Sequence, residues 1–341
     1  MSGPVTVTVA EVITETADAR SIVFEIPAEH APAFAYTPGQ FLTVRVPSER
    51  TGSVARCYSL SSAPHENRVQ VTVKRTADGY GSNWLCDNLQ AGQEVQVLPP
   101  AGVFSPASLD EDFLLLAGGS GITPVMSILK SALEHGTGKV TLLYANRDER
   151  SVIFARELAD LAARHQDRLV VVHWLESLQG LPTEAHLRAL VAPYTAHEAF
   201  ICGPGPFMDA ARTVLKDLGL PRKRIHLERF LSLGGNPFEV AEPVAVEEAE
   251  TPAAVEVTLD GETSKLDWPR RTKLLDLLLE KGFDAPYSCR EGQCSACACR
   301  VTSGEVKMLN NEVLDGDDIA EGIVLACQSL PLTDEVTVTY E

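Results

Sequence analysis

Cys289-Arg290-Glu291-Gly292-Gln293-Cys294-Ser295-Ala296-Cys297 is the stretch from which the rest of the sequence is read. A fourth cysteine, Cys327, follows after 29 intervening residues. The spacing C-x4-C-x2-C…C is one under which four thiolates share a [2Fe–2S] cluster, two to each iron. Small residues and glycine between the cysteines let the loop wrap closely and aim backbone N–H groups inward. A structural zinc site would pair C-x2-C with a second short pair. Here three cysteines share one loop and the fourth stands alone. A disulfide scaffold fits poorly: Met1-Ser2-Gly3-Pro4-Val5 has neither the basic nor the apolar region of a secretory signal, and eight cysteines in 341 residues are sparse. The expected compartment is the cytoplasm.

A chain of this length predicts two or three domains. No run of about 18 apolar residues occurs, so no transmembrane helix is expected. The net charge is −18, from 47 acidic and 29 basic residues, which argues against nucleic acid or an anionic membrane as partner. The charge is uneven: residues 239–341 hold 22 acidic and 8 basic side chains, whereas residues 1–238 hold 25 and 21. Solubility explains this, and so does a field that steers a basic partner.

Residues 1–108 read as an antiparallel barrel. Val5-Thr6-Val7-Thr8-Val9, Leu42-Thr43-Val44-Arg45-Val46 and Val69-Gln70-Val71-Thr72-Val73-Lys74 alternate with period two, and Pro38-Gly39-Gln40-Phe41 is a turn that launches a strand. Within them lies Arg56-Cys57-Tyr58-Ser59-Leu60-Ser61-Ser62. Arginine offers a fork for phosphate, tyrosine a flat aromatic face, and serine a hydrogen bond to a ring nitrogen. Alone, this is equally an amphipathic strand with a core tyrosine. Gly79-Tyr80-Gly81-Ser82-Asn83-Trp84-Leu85 adds a glycine turn from which Ser82 and Asn83 begin a short helix. A helix N-terminus carries roughly half a positive charge and suits a pyrophosphate.

Residues 109–232 alternate strands with helices. Phe113-Leu114-Leu115-Leu116-Ala117 is a buried parallel strand that runs into Gly118-Gly119-Ser120-Gly121-Ile122-Thr123-Pro124. Thr123 is the expected N-cap and Pro124 the first helical residue. Strand, glycine turn and helix form a phosphate cradle, although the spacing is neither G-x-G-x-x-G nor a P-loop. Further strands are expected at residues 140–145, 169–174, 199–201 and 225–230, the last ending in Glu228-Arg229-Phe230. Residues 233–254 are the expected linker, and within them residues 239–254, rich in Glu, Pro and Ala and without periodicity, are expected to be extended and mobile. Residues 255–341 form a third domain with strands at 255–259 and 336–340 and a helix at 274–281, just before the cysteine loop.

Together these motifs resemble the ferredoxin–NAD(P)H reductase superfamily, in its oxygenase-reductase branch, over nearly the whole chain. Arg56-Cys57-Tyr58-Ser59 resembles the family's R-x-Y-S flavin motif, residues 118–124 its pyridine-nucleotide glycine motif, and Cys202-Gly203-Pro204 with Phe207-Met208 its C-G-P-x-x-F-M motif. The resemblance implies an FAD-binding barrel, an NAD-binding α/β domain and a C-terminal β-grasp ferredoxin domain. By it, Arg56 holds flavin phosphate, Tyr58 stacks on the flavin, and Ser59 lies near its N5. Gly81, Ser82 and Asn83 hold the pyrophosphate, and Leu60 and Lys74 are further cofactor-binding residues. Gly119, Gly121, Thr123 and Pro124 meet the nicotinamide cofactor's phosphates, with Arg147, Gly203, Phe207 and Met208 around it. Cys202 sits beside the reactive nicotinamide carbon, and Phe230 approaches the flavin's other face. Cys289, Cys294, Cys297 and Cys327 hold the cluster; Cys57, Cys86 and Cys299 are packing residues.

The implied route is NADH to FAD to [2Fe–2S] to a terminal oxygenase. Hydride transfer requires stacked rings about 3–3.5 Å apart rather than a strong acid or base. Asp148 and Glu149 beside Arg147 and Arg150 favour NADH over NADPH. Within the branch, residues 56–62, Glu228-Arg229-Phe230 and Cys294–Cys299 most resemble reductases of Rieske-type, steroid-hydroxylating oxygenases. Reductases of phenylacetyl-CoA epoxidases are the rival. A free-standing diaphorase and a non-enzymatic iron–sulfur redox sensor are the other function classes.

Overall fold

The computed structural model describes residues 3–233, 235–238 and 251–340. The N-terminal strands are β1 (Val5–Thr16), β2 (Ala19–Glu25), β3 (Phe41–Ser48), β4 (Gly52–Ser59), β5 (Val69–Lys74) and β6 (Glu94–Ala101). They pair antiparallel in the order β4-β3-β6-β1-β2-β5. A bridge from Leu60, just past β4, to Val71 of β5 joins the two edges and closes the barrel. The period-two valines explain the closure. Val5, Val7, Val9, Val44, Val46, Val71 and Val73 all point inward and are buried, with polar neighbours facing out.

The second sheet is wholly parallel: β7 (Phe113–Gly118), β8 (Val140–Asn146), β9 (Leu169–Leu175), β10 (Glu198–Cys202) and β11 (Ile225–Glu228), in the order β11-β10-β7-β8-β9. Every residue of β7 is buried, as expected for a central strand covered on both faces. The chain leaves β7 for β8 on one side and later returns to β10 on the other. That reversal opens a crevice at the carboxyl ends of β7 and β10, where open α/β sheets bind ligands.

The C-terminal strands are β12 (Ala253–Leu259), β13 (Glu262–Trp268), β14 (Ala298–Ser303), β15 (Val306–Met308), β16 (Ile323–Leu325), β17 (Ser329–Pro331) and β18 (Glu335–Thr339). Five form a mixed sheet, β13-β12-β18-β14-β16, in which only β12 and β18 run parallel; β15 and β17 pair separately. The helix Leu274–Glu280 buries Leu274, Leu275, Leu277 and Leu278 against Trp268, Val255, Val257 and Val338. This is the β-grasp arrangement, and it sets the cysteine loop between that helix and β14.

Four local expectations differ from what is observed. The helix after β7 starts at Ile122, following a 3-10 turn over Gly119–Gly121, so Thr123 and Pro124 lie inside its first turn. The Thr123 hydroxyl donates back to the Ser120 carbonyl (3.1 Å), and proline is tolerated there because first-turn N–H groups lack intrahelical partners. The barrel's helix begins at Tyr80, ahead of Ser82 and Asn83. Strand β11 stops at Glu228, leaving Arg229 and Phe230 beyond the sheet. Part of the expected linker is fixed: Leu233 is buried, Asn236 donates to Ser53 Oγ (2.7 Å), and Ala253 and Ala254 belong to β12. Residues 239–250 lie outside the described residues.

Gly121 is where the strand–turn–helix junction meets β10. A Cβ on it would lie 2.0 Å from the Cys202 carbonyl oxygen and 2.7 Å from the Gly203 nitrogen. Gly121→Ala is expected to cost about 1–3 kcal/mol and lower the thermal midpoint. Gly205→Ala, at a position with nothing within 4 Å, is expected to leave it unchanged. Calorimetry of the two variants checks this.

Candidate functional site

Two cavities and one cysteine loop meet where the three sheets come together. The first cavity, of about 450 Å³, opens between the barrel and the second sheet. Its walls include Arg56, Tyr58, Ser59, Lys74, Gly81, Ser82, Thr123 and Phe230. Strand alternation on β4 turns Tyr58 toward the barrel core and Cys57 toward the cysteine loop. Gly81 has to be glycine: a Cβ there would fall 2.8 Å from Arg56 Cγ, so any side chain would push Arg56 out of the wall. The Tyr80–Asn88 helix starts at this wall, with first-turn N–H groups that have no intrahelical partner. Burial raises the Tyr58 phenol above its usual range. Leu60 and Asn83 do not reach the cavity. Leu60 is fully buried in the barrel core, and Asn83 Nδ2 donates to the Thr76 carbonyl (3.2 Å). Thr76 and Ser232 line the same space with no motif to mark them, as does Ser120 from within the glycine motif at residues 118–124.

The second cavity, also about 450 Å³, sits at the carboxyl ends of the parallel strands. Lys74, Gly119, Arg147 and Phe207 line it, together with Asn146, Trp174, Glu176 and Pro204, which sequence reading did not select. Glu176 was legible in principle as the first residue past β9. Lys74 lines both cavities and so stands in their common wall. Asp18, at the β1–β2 turn, accepts from Arg147 (2.7 Å) and lies 4.0 Å from Lys74 Nζ, spanning the two sheets. Gly121, Pro124, Cys202, Gly203 and Met208 lie behind the wall. A Cβ on Gly118 would meet Pro204 Cδ at 2.7 Å, and one on Gly203 would meet the Gly118 nitrogen at 2.9 Å, so the two glycine turns are pressed together. Cys202 is fully buried, and its thiol is pushed well above the ordinary range, first by burial and then by nearby Glu228.

The four expected ligand cysteines converge, all buried. Cys289 N–H points at Cys294 Sγ (3.3 Å) and Cys327 N–H at Cys297 Sγ (3.4 Å), while the Cys289 and Cys327 thiols link the two halves. The backbone N–H groups of Glu291 and Gln293 point at Cys289 Sγ (3.4 and 3.3 Å). Positive φ at Arg290 (60°), Gly292 (79°) and Ser295 (52°) makes the loop turn those groups inward. Hydrogen bonds from the Cys294 and Cys327 thiols, then from those N–H groups, hold Cys289 far below the thiol range despite burial. No three His, Cys, Asp or Glu side chains among the described residues gather as around a single metal ion. Four buried thiols with backbone N–H donors turned toward them fit a [2Fe–2S] cluster. The loop packs on the barrel through Phe41, Ala55, Ala101 and Leu233 against Cys289, Cys294 and Ala296. On the far side, Arg212 and Arg222 pair with Asp315 (2.6 and 3.2 Å) and Arg222 with Asp318 (2.9 Å). A narrow crevice lined by Ser59, Glu228, Phe230 and Cys294 connects the first cavity's wall to the loop.

Two nucleotide-sized cavities with a shared wall, set against a four-thiol loop, define an iron–sulfur flavoprotein oxidoreductase. Residues 6–105 match the model of the oxidoreductase FAD-binding domain, residues 115–213 that of the oxidoreductase NAD-binding domain, and residues 257–332 that of the 2Fe-2S iron-sulfur cluster binding domain. The chain is 60% identical over 342 residues to the ferredoxin reductase component of 3-ketosteroid-9-alpha-monooxygenase from Rhodococcus rhodochrous, covering 99% of this chain and 97% of that one. It is 34% identical to a component of the 1,2-phenylacetyl-CoA epoxidase of Escherichia coli, covering 98% and 97%. Its fold matches phthalate dioxygenase reductase with a TM-score of 0.60 at 27% identity, covering 99% and 98%. The chain belongs to the family of oxygenase reductases that join FAD-binding, NAD-binding and [2Fe–2S] domains, and it is an electron-transfer reductase for an oxygenase.

Glu228 is half-buried at the junction, where it lines the crevice beside Ser59, Phe230 and Cys294, and burial pushes its carboxyl up to about 8. In the unfolded chain it titrates near 4.5, so between these values the folded state holds the extra proton. Stability is therefore expected to fall as pH rises from about 4.5 to about 8, and this component of the slope should vanish in Glu228→Gln. Thermal midpoints of both proteins across that range check it.

Proposed function

We propose that this chain is the reductase component of a 3-ketosteroid 9α-hydroxylating system, drawing electrons from NADH and handing them to a Rieske-type terminal oxygenase. The observation that carries this reading is end-to-end identity of 60% to a reductase of that name, against 34% to the epoxidase component. Eight free cysteines support a reducing, cytoplasmic setting, and no helix among the described residues is long and apolar enough to cross a membrane. A free-standing diaphorase would have no use for a cysteine loop packed on the barrel and ion-paired through Asp315.

FAD, when bound, accepts a hydride from NADH and releases electrons singly to the cluster. The protein's part is to hold and orient. Arg56, with the N–H groups of Gly81 and Ser82 at the Tyr80–Asn88 helix start, binds flavin phosphates. Tyr58 offers its ring to the isoalloxazine, and buried Ser59 offers a hydroxyl to the ring edge. Phe230, 47% exposed beyond β11, lines the same cavity and would shield the flavin's opposite face when nicotinamide is absent. Gly119, Thr123 and the helix starting at Ile122 take the dinucleotide phosphates, with Lys74 as counter-charge. Pro204 and Phe207 wall the nicotinamide pocket. Cys202 and Gly203 set its floor, with Gly121, Pro124 and Met208 packed behind. Leu60 serves by closing the barrel and Asn83 by fixing the Thr76 turn. Cys289, Cys294, Cys297 and Cys327 would hold the cluster.

Glu176 supports NADH over NADPH. A carboxylate at the end of the third parallel strand accepts a ribose hydroxyl and repels a 2′-phosphate. Arg147, which lines the same cavity, is already paired with Asp18.

Mixed with a 3-ketosteroid oxygenase component and NADH, the protein should support steroid 9α-hydroxylation; with the oxygenase components of a phenylacetyl-CoA epoxidase it should not. The reverse pattern would assign it to the epoxidase. NADH should give the higher kcat/KM, and Glu176→Gln should narrow that preference about ten-fold, which takes only about 1.4 kcal/mol of relieved repulsion. Steady-state kinetics with both nucleotides check this.

A further inference from the structure

Between the barrel and the cysteine loop lies a polar contact that the cofactor sites do not use. Thr43 Oγ1 of β3 and Ser288 Oγ stand 2.5 Å apart. Cys57 Sγ of β4 lies 3.5 Å from Thr43 Oγ1 and 3.6 Å from Ser288 Oγ. Thr43 and Ser288 are each 1% exposed, so the hydroxyls meet in a site closed to bulk water. Around them packs an apolar ring of Phe41, Ala55, Ala101 and Leu233 against Cys289, Cys294 and Ala296. An apolar ring alone tolerates sliding. A buried hydrogen-bonded triad does not, because a small shift leaves its polar atoms unpaired away from water.

Sequence neighbours give the triad its meaning. Cys57 lies between Arg56 and Tyr58 and lines the first cavity. Ser288 directly precedes Cys289. The cavity wall and a ligand cysteine are therefore joined by covalent bonds and one sulfur–oxygen contact. Electron tunnelling falls off steeply with distance and crosses bonded contacts better than gaps. Holding this register sets the electronic coupling as well as the docking geometry.

We propose that Thr43, Cys57 and Ser288 are positioning residues for electron hand-over, fixing the cysteine loop in register on the flavin strand. This rests on the reading of the first cavity as the flavin site and the loop as the cluster site. Thr43 provides the cleanest test, since it lies on the barrel and neighbours no ligand cysteine in sequence. Thr43→Val keeps the shape and removes the hydroxyl; Thr43→Ser keeps the hydroxyl. The holoenzyme variants are mixed anaerobically with NADH while flavin and cluster absorbance are followed separately, and amide hydrogen exchange of residues 286–297 is measured without NADH.

In Thr43→Val, flavin reduction should keep its wild-type rate while flavin-to-cluster transfer slows about ten-fold, the factor one lost buried hydrogen bond carries in a docking equilibrium. Exchange in the loop should rise, and Thr43→Ser should restore both. Unchanged transfer with unchanged exchange overturns the proposal. So does an equal slowing of flavin reduction, which would mark general damage. Wild-type protein lacking flavin or cluster absorbance would instead overturn the underlying site reading.

Discussion

A loop of nine residues can present three thiols to one cluster only if its backbone turns back on itself and points N–H groups at sulfur. Here that requires left-handed backbone at Arg290, Gly292 and Ser295, of which only the second is glycine. A non-glycine residue pays roughly 1–2 kcal/mol for that conformation. The strain persists because both sides of the loop are held. The helix Leu274–Glu280 and β14 support it from within, and the barrel residues Phe41, Ala55 and Ala101, with Leu233 of the linker, cap it. Cys289 Sγ then accepts hydrogen bonds from the Glu291 and Gln293 N–H groups, a field that stabilises negative charge on that sulfur.

From this constraint the arrangement of the other two sheets follows. On the proposed function the cluster's electrons would come from the barrel's own ligand, so the flavin motif has to lie on the strand that faces the loop. It does: β4 turns Tyr58 inward and Cys57 toward Ser288. The nicotinamide cavity has to adjoin the flavin cavity from the opposite side, which the switch point between β7 and β10 provides. Lys74 stands in the common wall, and Asp18 ties it to Arg147 across the two sheets. Cys202 marks how tight the junction is. Its carbonyl would lie 2.0 Å from any Cβ on Gly121, so strand end and helix start touch backbone to backbone.

Much of this was legible in the sequence because it is local. Period-two valines, an all-apolar β7, glycine turns and the cysteine spacing each carry their own signal. Thr123 and Pro124 were misjudged as helix-starting residues because a 3-10 turn over Gly119–Gly121 passes directly into the helix, and no residue type announces it. Trp174, Glu176 and Asp18 were missed because their roles come from tertiary placement: a strand end reads as function only once the sheet order is known. Cys57 was read as packing, and its partners are Thr43 and Ser288, the latter 231 positions away. Leu60 and Asn83 fall within motifs yet face the barrel core and the Thr76 turn, since a motif marks a strand or a helix start and not every side chain on it.

On the proposed function, electrons enter at the nicotinamide cavity and leave through the cysteine loop. The most direct test of this route compares wild type with Cys294→Ser, assayed with NADH and either ferricyanide, which takes electrons from flavin, or cytochrome c, a one-electron protein acceptor. The account predicts that Cys294→Ser retains ferricyanide reduction and loses cytochrome c reduction. Loss of both activities in a folded, FAD-loaded variant, or retention of both, would contradict it.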